Sequence, residues 1–443
     1  AYNGSEKFAP KYRFGFFPSA AVGWIVSNED FFEPIRPIMN TLKFRYSNGK
    51  VGSDASIDRW LYTNSYIVNP AGGVGMEFGA PYTVSSPFPY RYEGTIANPD
   101  IQWETSHKID YGIEAAFFDN RLLFSYDYFT EHRSNIFLSG GDRVLPAYYG
   151  ADPVAANVGE VDIKGWEIET EFRNQATRNF GYWFKFGASY VIDNVVFKGD
   201  PELRPAYQKE EGFQMDILRA TLNQGEHSFY STWNDIYNSV GTENNSDLLP
   251  GDFKTLDYNA DGVVDADDNV PADYPIRPQH TYSPSAGVSY KNFSASISFY
   301  GVYNLASGLN WRYSGSSFGS SVARIANHYV DNIWSPENER FGEDAMNASS
   351  RFSSRGRQGF INYPRYYLRC ENAEISYNIT GKNVSWLNKL NISNARISLT
   401  GNNLFMFSPV YLDMDKVSQL SNVSNRHMYP VLRRVNLGMH LEF

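Results

Sequence analysis

The run Asp257-Tyr258-Asn259-Ala260-Asp261-Gly262-Val263-Val264-Asp265-Ala266-Asp267-Asp268 has side-chain oxygens at its first, third, fifth, ninth and twelfth positions and glycine at its sixth. Calcium takes roughly six to eight oxygen ligands, and loops of this spacing supply them, with a backbone carbonyl at the seventh position. Asp257, Asn259, Asp261, Val263, Asp265 and Asp268 are therefore the candidate ligands of a structural Ca2+ that would order a long loop. Asp268 stands where a bidentate Glu is usual, Asp267 beside it could ligate instead, and neither flank is patterned as helix. A solvated acidic turn closed by Asx hydrogen bonds would use the same residues, so both readings stand.

Glu167, Glu169 and Glu171 alternate along one strand-like segment. Paired carboxylates can flank a glycosidic bond, but a polar wall facing water explains all three, and no enzyme activity is expected. The seven His residues form no ligand or triad spacing, and the lone Cys370 reads as a small buried or lipid-facing residue. Segments without alternation carry Trp60, Tyr148, Tyr149, Trp233, Tyr237 and Trp311. Exposed aromatic faces stack on sugar rings and pack on peptide backbones, so these six are candidate substrate contacts; packing between loops, or against a covering partner, is the alternative.

These groups need a scaffold. Aromatics make up 16% of the 443 residues while mean hydropathy is −0.45. No apolar run approaches the ~18 residues of a membrane helix, which leaves strands as the way across a bilayer. A net charge of −10 without a basic cluster excludes nucleic acid as partner. Ala1 is not preceded by a signal pattern and is expected to be a cut end of a longer chain.

Period-two alternation marks eleven segments, 14–27, 42–46, 109–117, 122–137, 163–172, 182–192, 283–290, 293–303, 366–379, 392–400 and 435–443. Large apolar residues occupy one face and polar or small ones the other. Connections alternate short and long, which is the spacing of an up-and-down meander with short periplasmic turns and long extracellular loops. A soluble sandwich would alternate in the same way along its strands but would not be expected to carry five loops above ~12–15 residues. The predicted fold is all-β: a transmembrane antiparallel up-and-down β-barrel.

The last segment puts Leu437, Met439, Leu441 and Phe443 on one face, the pattern read as a barrel-assembly signal or simply as a lipid-facing strand. With an odd count, the first and last strands run the same way and cannot close a sheet by antiparallel pairing, so part of a larger barrel is expected.

Several segments carry a family likeness: Arg13–Trp24, Leu42–Gly52, Ala97–Ser106, Asn157–Glu167, Gly251–Lys254, Trp334–Asn338, Tyr366–Arg369 and Gly401–Phe405. In that order, over almost the whole chain, they resemble the C-terminal half of a SusC-like TonB-dependent outer-membrane transporter of Bacteroidetes. The resemblance implies a barrel of about twenty-two strands, of which eleven are here. The plug, TonB-binding segment and signal peptide would lie outside residues 1–443. It also implies a SusD-like lipoprotein lid, a dimer of transporter–lid pairs, the TonB complex acting through the plug, and oligosaccharides or oligopeptides as cargo. A passive porin or adhesion barrel and a soluble carbohydrate-binding β-protein are the competing readings.

Overall fold

The computed structural model describes residues 1–69, 90–94, 96–143, 153–217, 219–222, 229–242, 248, 250–251, 254–271, 275, 277–307, 335–336, 363–380, 392–407 and 432–442. Eleven strands form one antiparallel path in chain order: β1 (Ser19–Ile25), β2 (Met39–Ser53), β3 (Glu104–Phe117), β4 (Leu122–Leu138), β5 (Ala156–Thr177) and β6 (Phe180–Phe197). They continue as β7 (His280–Tyr290), β8 (Phe293–Ser307), β9 (Tyr363–Thr380), β10 (Asn394–Asn402) and β11 (Arg434–Glu442). Met406–Phe407 adds a short rung on β9. Each strand pairs with its sequence neighbours, and β1 and β11 are left as edges. Every segment marked by alternation contains a strand of this sheet.

Several boundaries differ from the sequence expectation. The segment 14–27 is two strands: Phe14–Phe16 turns back onto Tyr2–Gly4, and β1 begins only after Pro18, whose missing N–H interrupts a ladder. β2 and β5 run far beyond their alternating cores, to 15 and 22 residues. Pairing continues there although the alternation of apolar and polar residues has lapsed. β10 lies two residues later than expected, pinned by its register against β9.

The apolar face forms continuous rows. Leu437, Leu399, Ile375, Ala295, Val288 and Tyr182 stand opposite one another across successive strands, and Met439, Ile397, Tyr377, Phe293 and Tyr290 form the next row. Leu437 is 79% exposed and Met439 68% exposed, as suits side chains whose partner is the hydrocarbon of a bilayer. Nearer the long-loop end, Tyr46, Tyr111, Tyr128, Trp166, Tyr190, His280 and Tyr303 are register partners on seven consecutive strands. Rings of this row lie 5.2 Å apart at Tyr46–Tyr111 and 6.2 Å apart at Trp166–Tyr190. An amphipathic ring is most stable at the level of lipid headgroups, which suits this row to the outer end of the lipid-facing side. From Tyr182 to Tyr190 the sheet climbs ~20 Å at ~3.3 Å per residue and a tilt of ~40°, close to the height of an outer-membrane apolar band.

Candidate functional site

The opposite face of the sheet is the polar wall, and its side chains are arranged by register. Arg45, Gly112, Asp127, Glu167, Ser189 and Thr281 form one row; Lys43, Glu114, Ser125, Glu169, Gly187 and Ser283 form the next. Arg45 Nε lies 2.8 Å from Glu114 Oε1, and its Nη2 lies 2.7 Å from Asp127 Oδ1. Lys43 Nζ reaches Glu114 at 3.3 Å. These pairs were not anticipated, although Lys43 and Arg45 alternate with Leu42, Phe44 and Tyr46 in the sequence.

The three glutamates do share this wall. Glu171 is held by Lys185 at 2.9 Å and by Arg173, whereas Glu169 shares with it a recess of about 740 Å³ lined also by Glu114, Ser125 and Ser283. Glu167 stands opposite Asp127. Of the three, Glu171 is the one held in ion pairs among the described residues.

At the long-loop end, residues preceding β1 fold with those following β2. Phe8, Ile57 and Ile101 are fully enclosed, with Tyr12, Leu61, Trp103 and Phe137 packed around them. Ser5 Oγ donates to Asp54 Oδ2 at 2.7 Å, and Lys7 Nζ donates to the Asp54 carbonyl at 2.7 Å. Trp60 sits on this rim, 64% exposed, with Tyr62 as its ring neighbour at 6.2 Å. Its φ of 70° is a left-handed conformation that a bulky residue adopts only under constraint.

The long connection between β6 and β7 carries α1 (Trp233–Tyr237), one helical turn fixed by a capping box. Thr232 Oγ1 accepts the Asp235 N–H at 3.2 Å, while Asp235 Oδ2 accepts the N–H groups of Thr232 and Ser231, each at 3.0 Å. The Thr232 N–H, with smaller help from Lys254, holds the Asp235 carboxyl below the usual carboxylate range against the opposing effect of desolvation. The turn sets Trp233 and Tyr237 four residues apart on one side. Their rings stack at 6.4 Å and 29°, and they are 52% and 79% exposed. Tyr148, Tyr149 and Trp311 lie outside the described residues.

Asp257 to Asp268 form a compact loop on the same connection. Asp268 is completely buried; its Oδ1 accepts the N–H of Tyr258 at 2.7 Å and of Asn259 at 3.2 Å, and its Oδ2 accepts that of Asp265 at 2.9 Å. Asp257 Oδ2 accepts the Gly262 N–H at 2.9 Å, Asp261 Oδ1 that of Val263 at 2.8 Å, and Asp265 Oδ1 that of Asp267 at 2.7 Å. Gly262 holds φ at 91°, the left-handed turn the sixth position requires. Among the described residues no three acidic or His side chains converge as a ligand set. The donor chemistry nonetheless suits calcium, since a carboxylate oxygen that accepts one N–H retains a lone pair.

At the other end of the wall, Leu437, Met439 and Leu441 lie on the lipid face of β11, and Phe443 falls outside the described residues. Cys370 is fully buried, in keeping with a packing role.

The model of the family described as TonB dependent receptor-like, beta-barrel, matches residues 2–404. The chain is 26% identical to TonB-dependent receptor P3 of Formosa agariphila, over all of this chain and 43% of that protein. It is 22% identical to TonB-dependent receptor SusC of Bacteroides thetaiotaomicron, over all of this chain and 41% of that one. It therefore spans less than half the length of these relatives. Its fold is similar to that of the RagAB peptide importer in the closed-closed state, with a TM-score of 0.70 and 18% identity over 100% of this chain and 45% of the other. An antiparallel meander with one lipid-facing side, an aromatic row at the interface, a charged inner wall and a match over nearly its whole length place this chain in the TonB-dependent receptor β-barrel family of the outer membrane.

Proposed function

We propose that this chain forms about half the wall of an energised importer that carries oligosaccharides or oligopeptides across the outer membrane. The observation that carries the reading is the rigid, exposed Trp233–Tyr237 stack on the long-loop side of a sheet whose inner face is charged and hydrated. Stacked rings give a hydrated oligomer a dry contact, and the wall below it offers charged and hydrogen-bonding groups. Edges β1 and β11 accept the remainder of the same barrel, because unpaired strand edges are not tolerated in lipid. A SusD-like lipoprotein closing over the loops, a dimer of such pairs, and the TonB complex acting through a plug complete the proposed machine.

Within it, the Asp257–Asp268 loop serves as a structural calcium clip, with Asp257, Asn259, Asp261 and Asp265 side chains and the Val263 carbonyl as ligands beside Asp268. It orders the connection that carries α1 and performs no chemistry.

The deciding experiment is uptake of labelled oligosaccharide and oligopeptide pools by cells carrying the intact transporter, with and without a protonophore. Energy-dependent uptake of either pool that falls on Trp233→Ala/Tyr237→Ala supports the reading. Uptake that survives the protonophore would instead make the barrel a passive porin.

A further inference from the structure

Directly above the aromatic row, on the same outer face, the sheet carries mostly polar side chains where a bilayer has headgroups. Thr130 and His132 follow Tyr128 on β4; Lys164 and Asp162 precede Trp166 on β5; Ile192 and Asn194 follow Tyr190 on β6. Their registers align them as two adjacent rows, Thr130–Lys164–Ile192 and His132–Asp162–Asn194. A cavity of about 820 Å³ runs between these rows.

The cavity has an end wall. Gly212 N donates to the Val195 carbonyl at 2.8 Å and Val195 N donates to the Phe213 carbonyl at 2.7 Å, so this segment takes the place beside β6 that β7 vacates. Asp193 Oδ2 accepts the Met215 N–H at 2.6 Å and fixes the segment there. Phe213 and Ile217 supply apolar surface to the cavity.

We infer that this groove binds the phosphorylated sugar headgroup of an outer-leaflet glycolipid. Three features select that occupant. Lys164 is exposed and, among the described residues, has no ion-pair or hydrogen-bond partner, which leaves its ammonium for a phosphate. His132 Nδ1 and Asp162 Oδ1 lie 2.7 Å apart and Asn194 Nδ2 donates to the Val195 carbonyl at 3.5 Å, so that Asp162 Oδ2, His132 Nε2, Asn194 Oδ1 and the Thr130 hydroxyl are left for sugar hydroxyls. Finally, the groove is continuous with the lipid-facing belt: Ile168 and Ala188 lie on the same face below the aromatic row, where acyl chains would descend. The site depends on the outer-membrane placement of the sheet but not on what the barrel imports.

The test is binding of a purified, phosphorylated outer-membrane glycolipid to the intact transporter in mild detergent, followed by native mass spectrometry. Losing one charge-assisted contact is expected to weaken binding about tenfold in Lys164→Ala, while Lys164→Arg stays near wild type. The dephosphorylated glycolipid is expected to bind weakly and to be indifferent to Lys164→Ala. Asp162→Ala is expected to weaken the phosphorylated glycolipid as well, through its sugar. Nutrient uptake by cells carrying Lys164→Ala should be unchanged, which separates this site from the import reading. Equal glycolipid binding by wild type and Lys164→Ala would overturn the inference, as would phosphatidylglycerol binding as tightly as the glycolipid. A groove that seats a protein would give the first of those results.

Discussion

Arg45 on β2 is bound to Asp127 on β4 although β3 runs between them: Nη2 and Oδ1 are 2.7 Å apart, and the residue beneath the bridge is Gly112. A Cβ at Gly112 would lie 2.5 Å from Asp127 Oδ1 and 2.9 Å from two guanidinium nitrogens of Arg45. Both are the ends of flexible side chains, so Gly112→Ala is expected to part the pair without unfolding the sheet. Arg45 and Asp127 are 36% and 22% exposed, and the loss should be about 1 kcal/mol. A double-mutant cycle of Arg45→Ala and Asp127→Ala, by denaturation of the intact barrel, measures the coupling. It should vanish in the Gly112→Ala background; an undiminished coupling would mean that the glycine is not what admits the bridge.

For the Trp233–Tyr237 stack the expectation is a split between affinity and fold. Both rings are exposed, so Trp233→Ala and Tyr237→Ala should leave melting temperature unchanged. Each stacking contact removed should weaken substrate about five- to tenfold, by analogy with aromatic pair energies of ~1 kcal/mol. Calorimetry with the imported oligomer reads this directly, and an unchanged affinity in the double variant would reassign the pair to contact with a lid.

Much of this wall was legible in the sequence because lipid and water press on its two faces. Alternation survives wherever a strand is between them, as at Phe293, Ala295 and Ile297 against Ser294, Ser296 and Ser298. It fades at the outer ends of β2 and β5, and there the strands outran their pattern. The Arg45–Asp127 bridge was not legible, since it exists only once three strands are in register. Thr232-Trp233-Asn234-Asp235 did carry a capping signal, and with it the turn that stacks Trp233 on Tyr237 could have been foreseen. The groove around Lys164 was invisible for a different reason: its members come from three strands and a returning segment.

The α1 cap should respond to acid with a definite sign. Asp235 in the fold titrates below the ordinary carboxylate range, mainly through the Thr232 N–H, so its stabilisation is complete above that range. It is lost as pH falls through the lower, folded value. Hydrogen exchange of residues 229–242, corrected for intrinsic rates, should stay protected from pH 7 to about 5 and loosen only in stronger acid. Asp235→Ala should be loose throughout, because the cap is absent at every pH. Loosening of the wild type near pH 6 would contradict the assignment.

The acidic loop yields a contrast between two aspartates. Asp268 is buried and satisfies three backbone N–H groups, so Asp268→Ala should disorder the loop with or without calcium. Asp261 is exposed and holds only the Val263 N–H through Oδ1, with Oδ2 beside the Asn259 amide. Asp261→Ala should therefore leave the apo loop nearly intact and abolish calcium heat in isothermal titration. A wild-type transporter that gives no calcium-dependent heat would eliminate the clip and leave the loop as a self-contained turn.

β11 allows the two faces of the wall to be separated within one strand. Leu437 continues the lipid-facing row through Leu399 and Ile375, whereas Asn436 continues the inner row through Thr400 and Glu374. A charge on the lipid face costs up to ~2–4 kcal/mol, depending on depth, while the inner face already carries charge. Leu437→Arg should thus deplete the transporter from the outer membrane, and Asn436→Arg, one residue away and next to the Thr400–Glu374 row, should assemble at close to wild-type levels. Heat-modifiable mobility in fractionated membranes measures both. Equal depletion would mean that sequence recognition during assembly, rather than burial in lipid, governs this strand, because recognition reads neighbouring residues alike whereas lipid reads only alternate ones.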